Sequence, residues 1–358
     1  MSGTIDLGLS VATAADSWKV VQRAEALGYT RAWFYDTQML NADVLVAMGA
    51  AAVKTAKIRL ATGVLIPSNR IAPVAANALA SLNALAPGRI DFGISTGFTA
   101  RRSLGLGPVK LTDMKEYIRI VQRLLAGETT EWRFEGEQRK IRFLNPEIGT
   151  IKIDDPIPLH ISAVGPKARA LTVELDAHWM FTAGNQVASV AAIEAISAAR
   201  RSAGRDPAHY IATAQVGGCV LAEGETFESP RVQVQAGPHA TVALHNMVEA
   251  EQFGNFGRGL PDHLAPLLEQ YRRIYLQYAP ADARYLSNHR GHLMFLRPEE
   301  KALCTPDLIR ATTMSGTKAE LRDRIRALRD AGYNHLAVHI RHGQPQMLED
   351  WADVFAMV

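Results

Sequence analysis

The stretch Ser162-Ala-Val-Gly-Pro-Lys-Ala-Arg169 joins an apolar run to a helical pattern. Gly165 lets backbone N–H groups approach a ligand, and Pro166 suits the first turn of a helix. The N–H groups of that turn lack partners within the helix and carry the positive end of its dipole, so they suit an anion such as phosphate. Lys167 or Arg169 would add charge; a tight turn with a solvated lysine is the plainer alternative. His289 and His292 stand three residues apart without a nearby third ligand, which does not read as a metal site. Phe253-Gly-Asn-Phe-Gly-Arg-Gly259 is glycine-rich but lacks the Lys-Ser/Thr of a phosphate loop, and it reads as a connection or part of a lid. No Gly-x-Ser-x-Gly elbow occurs, which argues against an α/β-hydrolase.

The elements that must position these residues alternate along the chain. Residues 5–11, 32–35, 58–66, 90–95, 158–162, 178–182, 211–221 and 335–340 read as strands. Helical patterns cover 17–27, 43–54, 73–85, 111–125, 167–175, 187–203, 317–331 and 347–357, with others near 243–253 and 263–278. Residues 131–143 read as a small inserted hairpin. Parallel neighbours need a crossover between them, and eight such units fit a closed (β/α)8 barrel in one domain spanning 1–358. An open doubly wound sheet is the rival. No Pro/Gly/Ser-rich linker separates a second domain, and residues 225–300 form an insertion after strand seven, expected over the mouth.

Composition narrows the class. The 358 residues carry 39 Lys+Arg against 36 Asp+Glu, a net +3, too small a surplus for a protein that grips nucleic acid. No run approaches the length of a membrane span, and the N-terminus shows no secretory pattern, so a cytoplasmic protein is expected. Cys219 and Cys304 cannot form a disulfide framework. In a barrel the chemistry sits at the C-terminal strand ends. These are Ser10, Asp36 and Thr37, Gly63 to Pro67, Ser95 to Gly97, Ser162 to Lys167, and Thr182 with Ala183. The row Arg322, Arg324, Arg326, Arg329 reads as the solvated face of a helix.

Three blocks are familiar: Ile58-Arg-Leu-Ala-Thr-Gly-Val-Leu-Ile-Pro67, Leu85-Ala-Pro-Gly-Arg-Ile-Asp-Phe-Gly-Ile-Ser-Thr-Gly97 and Ala163-Val-Gly-Pro-Lys167. With Ala32-Trp-Phe-Tyr-Asp36 they resemble the luciferase-like flavin-dependent oxidoreductases, nearest to the methylenetetrahydromethanopterin-reductase-like branch. The resemblance implies a luciferase-like TIM barrel with a flavin ring at its mouth. It implies a non-prolyl cis peptide at Gly63–Val64 beneath the ring, with Ser95, Thr96 and Gly97 beside it. It also implies a phosphate turn at Ala163, Val164, Gly165, Pro166 and Lys167. The family's histidine after strand two is replaced by Thr37. Phe98 stands where the deazaflavin dehydrogenases have an acid, and Thr96 where luciferase has an arginine. Arg101 and Arg102 are either replacement charges or surface residues.

The expected activity is monooxygenation of a small organic substrate with reduced FMN and O2, the flavin coming from a separate reductase. The alternative is hydride transfer with the deazaflavin coenzyme F-420, and a non-catalytic ligand-binding barrel is the reading of another class. Asp36, Thr37 and His292 are the catalytic candidates, with His239, His245 and His289 as further histidines of the insertion. Tyr35 and Phe98 are the substrate-contacting candidates, and Leu65 and Phe34 further apolar walls. No metal is expected. A homodimer through the helices beside strands two and three is the family's habit.

Overall fold

The computed structural model describes residues 4–205, 210–254 and 259–358. Eight parallel strands close into a barrel: β1 Asp6–Val11, β2 Arg31–Phe34, β3 Arg59–Thr62, β4 Ile90–Ile94, β5 Leu159–Ser162, β6 His178–Thr182, β7 Ala212–Val216 and β8 His335–Ile340. Closure comes from β1 lying beside β8 over six residues, Asp6 opposite His335 through Val11 opposite Ile340. The strands are largely buried on both faces, as a parallel barrel requires, with charged and histidine side chains among their buried residues.

Helices wrap the outside: α1 Ser17–Ala26, α2 Val44–Lys54, α3 Ala72–Leu85, α4 Leu111–Leu125, α5 Pro166–Glu174, α6 Gln186–Ser202, α7 Lys318–Ala331 and α8 Met347–Phe355. Their inner stripes, such as Met114, Ile118, Val121 and Leu124 of α4, join Leu9, Phe34, Leu60 and Ile94 in the main core. Asp43 caps α2 by accepting from the N–H groups of Leu45 and Val46, and Thr317 with Glu320 forms a capping box on α7. The expected hairpin is present, Thr130–Phe134 against Glu137–Ile141.

At the N-terminal end of the barrel Asp91 is clamped by two arginines. Its carboxylate accepts from Arg31 Nε at 2.6 Å and from Arg59 Nη2 at 2.6 Å. Burial works to raise the Asp91 pKa, but the two guanidinium groups outweigh it and hold the acid below its ordinary range.

Strand three ends at Thr62 rather than at residue 66, and three further expectations change. Strand seven stops at Val216, because a Cβ on Gly218 would lie 2.1 Å from Met314 O. The chain turns there, and Val220–Leu221 pairs separately with Gly316–Thr317. The arginine row of α7 is not simply solvated: Arg322, Arg326 and Arg329 donate to the carbonyls of Val354, Met357 and Val358, and Arg324 to those of Thr313 and Ser315. A helix at Pro230–Ala240 also forms across Gly237 and Pro238. It packs with Val242–Val248, Ala265–Leu276 and Pro306–Thr312 around a second core of Val232, Leu244, Tyr271 and Leu308. Of the glycine-rich run, residues 255–258 lie outside the described residues.

Candidate active site

A cavity of about 1110 Å³ opens at the C-terminal strand ends, near the upper size of small-molecule sites. Tyr35, Asp36 and Thr37 reach it from β2, and Gly63 and Val64 from just beyond β3. Ser95, Thr96 and Phe98 reach it from β4, and Val164 to Ala168 from β5 and α5. The segment between β7 and β8 adds a wall that includes His239, Asn246, Leu260, His292 and Leu293.

The Gly63–Val64 peptide is cis, and both residues line the cavity. Gly63 is pressed against β2, for a Cβ there would lie 2.6 Å from Trp33 Cβ. Ser95 Oγ donates to Ser162 O at 3.0 Å and ties the ends of β4 and β5 together. The start of α5 is open: Gly165 provides no side-chain cap, and a Cβ built on it meets nothing within 4 Å. Lys167 lines the cavity there, whereas Arg169 turns back and donates to Val164 O at 2.9 Å. At α6 the position is already filled, since Asn185 caps Ala188 N–H.

Asp36 is engaged. Both its oxygens lie 3.0 Å from Arg70 Nη1, and Oδ2 accepts from Ile66 N–H at 3.1 Å. Arg70 reaches on to Asp43. This carboxylate ties the segment after β3 to the Arg70 guanidinium. Thr37 Oγ1 accepts from Asn41 Nδ2, and among the described residues the buried Asn41 Oδ1 has no hydrogen-bond partner.

His292 is held in a chain. Its Nε2 lies 3.1 Å from Thr99 Oγ1 and its Nδ1 3.2 Å from His245 Nδ1, while His245 Nε2 meets Glu300 Oε1. With the carboxylate as acceptor, His245 donates through Nε2 and accepts at Nδ1. His292 then donates through Nδ1 and accepts the Thr99 hydroxyl at Nε2. Burial, then the neighbouring His289 and His245, push His292 well below the ordinary histidine value, so it is neutral at neutral pH. His289 takes a different partner, Glu249, at 3.0 Å.

Several expected site residues stand behind the wall. Gly97 (φ +81°) and Ala163 do not line the cavity; Gly97 backs onto Arg101 and Ile66, and Ala163 O accepts from Trp179 Nε1. Phe34 and Leu65 are fully buried core, whereas Phe98 does line the cavity. Arg102 is neither a surface residue nor a cavity charge. It is buried over the Phe98 ring, 3.8 Å from its centroid, and faces Glu249. Asn41, Thr99, Gln215 and Leu260 were not singled out as site residues, for nothing in their local spacing marks them.

Among the described residues no group of three or more His, Cys, Asp or Glu could hold a metal ion, and no helix is long and apolar enough to cross a membrane.

The profile of the luciferase-like monooxygenases matches residues 3–335. The chain is 31% identical over 186 residues to 5,10-methylenetetrahydromethanopterin reductase of Methanolobus tindarius, covering 51% of this chain and 55% of that protein. It is 32% identical over 145 residues to the F420-dependent glucose-6-phosphate dehydrogenase of Beutenbergia cavernae, covering 38% and 41%. Thus the chain spans about half, or less, of the length of these curated relatives. Among solved structures, the coenzyme F420 dependent tetrahydromethanopterin reductase of Methanopyrus kandleri superposes over 98% of both chains with a TM-score of 0.69 at 18% identity, a likeness of fold.

Proposed function

The chain belongs to the luciferase-like monooxygenase family, and from that premise we propose an oxidoreductase that passes hydride between a deazaflavin and a small organic substrate. The cavity residues fit such a group. Gly63 and Val64 offer a flat backbone seat for a ring, and Asn41 Oδ1 an acceptor for an N–H. The uncapped start of α5 at Gly165, Pro166, Lys167 and Ala168 would hold a phosphate. When bound, a deazaflavin supplies or takes a hydride.

The single observation that carries this reading is the Thr99–His292–His245–Glu300 chain ending in the cavity. Hydride exchange at a C–O or C–N bond also moves a proton. Thr99 Oγ can take that proton from a ligand while its own hydrogen passes to His292 Nε2. His245 and Glu300 then stabilise the imidazolium that forms. In the reverse direction the same groups return it. Phe98, Leu260 and Val64 exclude water from the exchange. The F420-dependent relative supports the choice of cofactor.

A second reading, monooxygenation with reduced FMN, is favoured by the apolar walls and by the family's description. Fluorescence titration of the protein with the deazaflavin and with FMN separates the two. The deazaflavin should bind at least about tenfold more tightly, a difference of 1.4 kcal/mol. Tighter FMN binding, with O2 uptake on reduction, would transfer the assignment to the second reading.

A further inference from the structure

Joined through His339 to the cavity-lining Tyr35 lies an arginine with no carboxylate among its partners in the described residues. Arg341, one residue beyond β8, is 2% exposed. Among the described residues its guanidinium hydrogen-bonds to Gln235 O, through Nε at 3.3 Å and Nη2 at 3.0 Å, and to His339 Nε2, through Nη1 at 3.1 Å. No carboxylate is among these partners. Burying a cation without its counter-ion is costly, so its presence calls for an account.

Hydrogen-bond polarity supplies one. A guanidinium only donates, so His339 Nε2 accepts from Arg341 and Nδ1 carries the ring hydrogen. Leu293 O, 3.3 Å from the same Nε2, is the poorer partner. His339 Nδ1 then donates to Tyr35 Oη at 2.8 Å, with the two rings stacked at 5.3 Å. Gln215 Nε2, 3.2 Å from Ser10 Oγ and 3.5 Å from Tyr35 Oη, approaches from another side. The Ser10 hydroxyl also favours the charged form of the phenol. Among the described residues, His339 Nδ1 and Gln215 Nε2 each point a donor at Tyr35 Oη. The hydroxyl's own hydrogen is left for the cavity, which Tyr35 and Gln215 both line.

We propose that Tyr35 is an oxyanion anchor, its hydroxyl binding a negatively charged oxygen of the substrate, with Arg341 supplying the balancing charge through His339. The substrates selected are small organic molecules bearing a carboxylate or an enolate-type oxygen. Tyr35 touches the ligand; His339 and Arg341 position it. Burial raises the Tyr35 pKa and lowers Arg341 to about 10, so at neutral pH the phenol keeps its hydrogen and the guanidinium its charge. His339 is held well below its ordinary value by burial and then by Arg341, and His239 faces it from the insertion. The proposal names the substrate class for the oxidoreductase reading and rests on it.

Benzoate and its neutral counterpart benzamide are the probes, titrated calorimetrically against the whole protein. Benzoate should bind more tightly than benzamide. That preference should fall at least tenfold in Tyr35→Phe and in Arg341→Gln, and return in part in Arg341→Lys. A second readout places a ring-fluorinated tyrosine, which ionises in an accessible pH range, at position 35. Its ionisation should need a pH at least one unit higher in the Arg341→Gln background, and benzoate should raise it in the Arg341 protein. Equal binding of the two probes, an undiminished preference in Tyr35→Phe, or a reporter indifferent to benzoate would overturn the proposal. Should Arg341→Gln not fold, Tyr35→Phe and the reporter still decide. Deazaflavin and FMN titrations of the same samples keep the two ideas apart: loss of both cofactors sinks the oxidoreductase reading and leaves the benzoate result standing.

Discussion

Nδ1 of His292 lies 3.2 Å from Nδ1 of His245, so one ring must donate where the other accepts. Glu300 fixes the direction by accepting from the far side of His245. A histidine on the cavity wall is thereby joined to a buried carboxylate through a second imidazole. In the proposed reaction the proton passes through this assembly rather than a lone side chain.

That assembly has a pH signature. Burial would raise Glu300, yet His245 and then Arg297 outweigh it and hold the acid near 2, against an ordinary 4.5. The unfolded chain therefore binds this proton more readily than the folded one. The stabilisation is present above about pH 4.5 and is lost as pH falls through about 2. It amounts to roughly 3 kcal/mol. Urea unfolding of Glu300→Gln should show lower stability at neutral pH and a flatter acid limb; a limb that overlays the wild type refutes this.

At the start of α5, Gly165 sits at φ −80°, a conformation alanine also adopts, and its missing Cβ faces open space. Gly165→Ala should leave the melting temperature unchanged while intruding on the proposed phosphate cradle. Binding of a phosphate-bearing flavin should weaken by about tenfold, or 1.4 kcal/mol. Unaltered affinity by fluorescence quenching would mean the phosphate lies elsewhere.

Asp36→Asn tests the positioning role of that residue. The amide can keep the Ile66 N–H but loses the charge that Arg70 requires. A stability loss of roughly 2 kcal/mol is expected, together with weaker cofactor binding as the Gly63–Val64 seat loosens. A variant as stable as the wild type, yet catalytically dead, would return Asp36 to the chemistry.

Asp91→Asn leaves Arg31 and Arg59 facing a neutral group in the buried end of the barrel. The expected cost is about 3–5 kcal/mol, read as a shifted chemical-denaturation midpoint. Because the cluster lies at the opposite end from the cavity, the folded fraction should still bind cofactor. Loss of affinity without loss of stability would contradict this separation.

How far the sequence could be read follows from which signals are local. The strands at His178–Thr182 and His335–Ile340 were legible to the residue, because each is a short apolar run flanked by breakers. Strand seven was read too long, since the break shows only where Gly217 meets His239 and Gly218 meets Met314 O, the latter nearly 100 residues away. Pro230–Ala240 was missed because Gly237 and Pro238 weaken its local helical pattern; packing against the neighbouring helices overrides that weakness. The turn at Gly165 was visible because glycine and proline announce backbone needs, whereas the cis seat at Gly63–Val64 was reached only through the family resemblance. His292 could be named only as one histidine among several. Its partners His245 and Glu300 stand at no recognisable spacing, and Arg341 looks in one dimension like any basic residue after a strand.

Half of the wiring around the cavity is rooted in the barrel, through Tyr35, His339 and Arg341. The other half, His245, His292 and Glu300, arrives with the segment between β7 and β8. That segment is therefore not an interchangeable hat. Grafting it between kindred scaffolds would transplant reactivity along with shape, and engineers or evolution redesigning the roof must also rewire the circuitry beneath it.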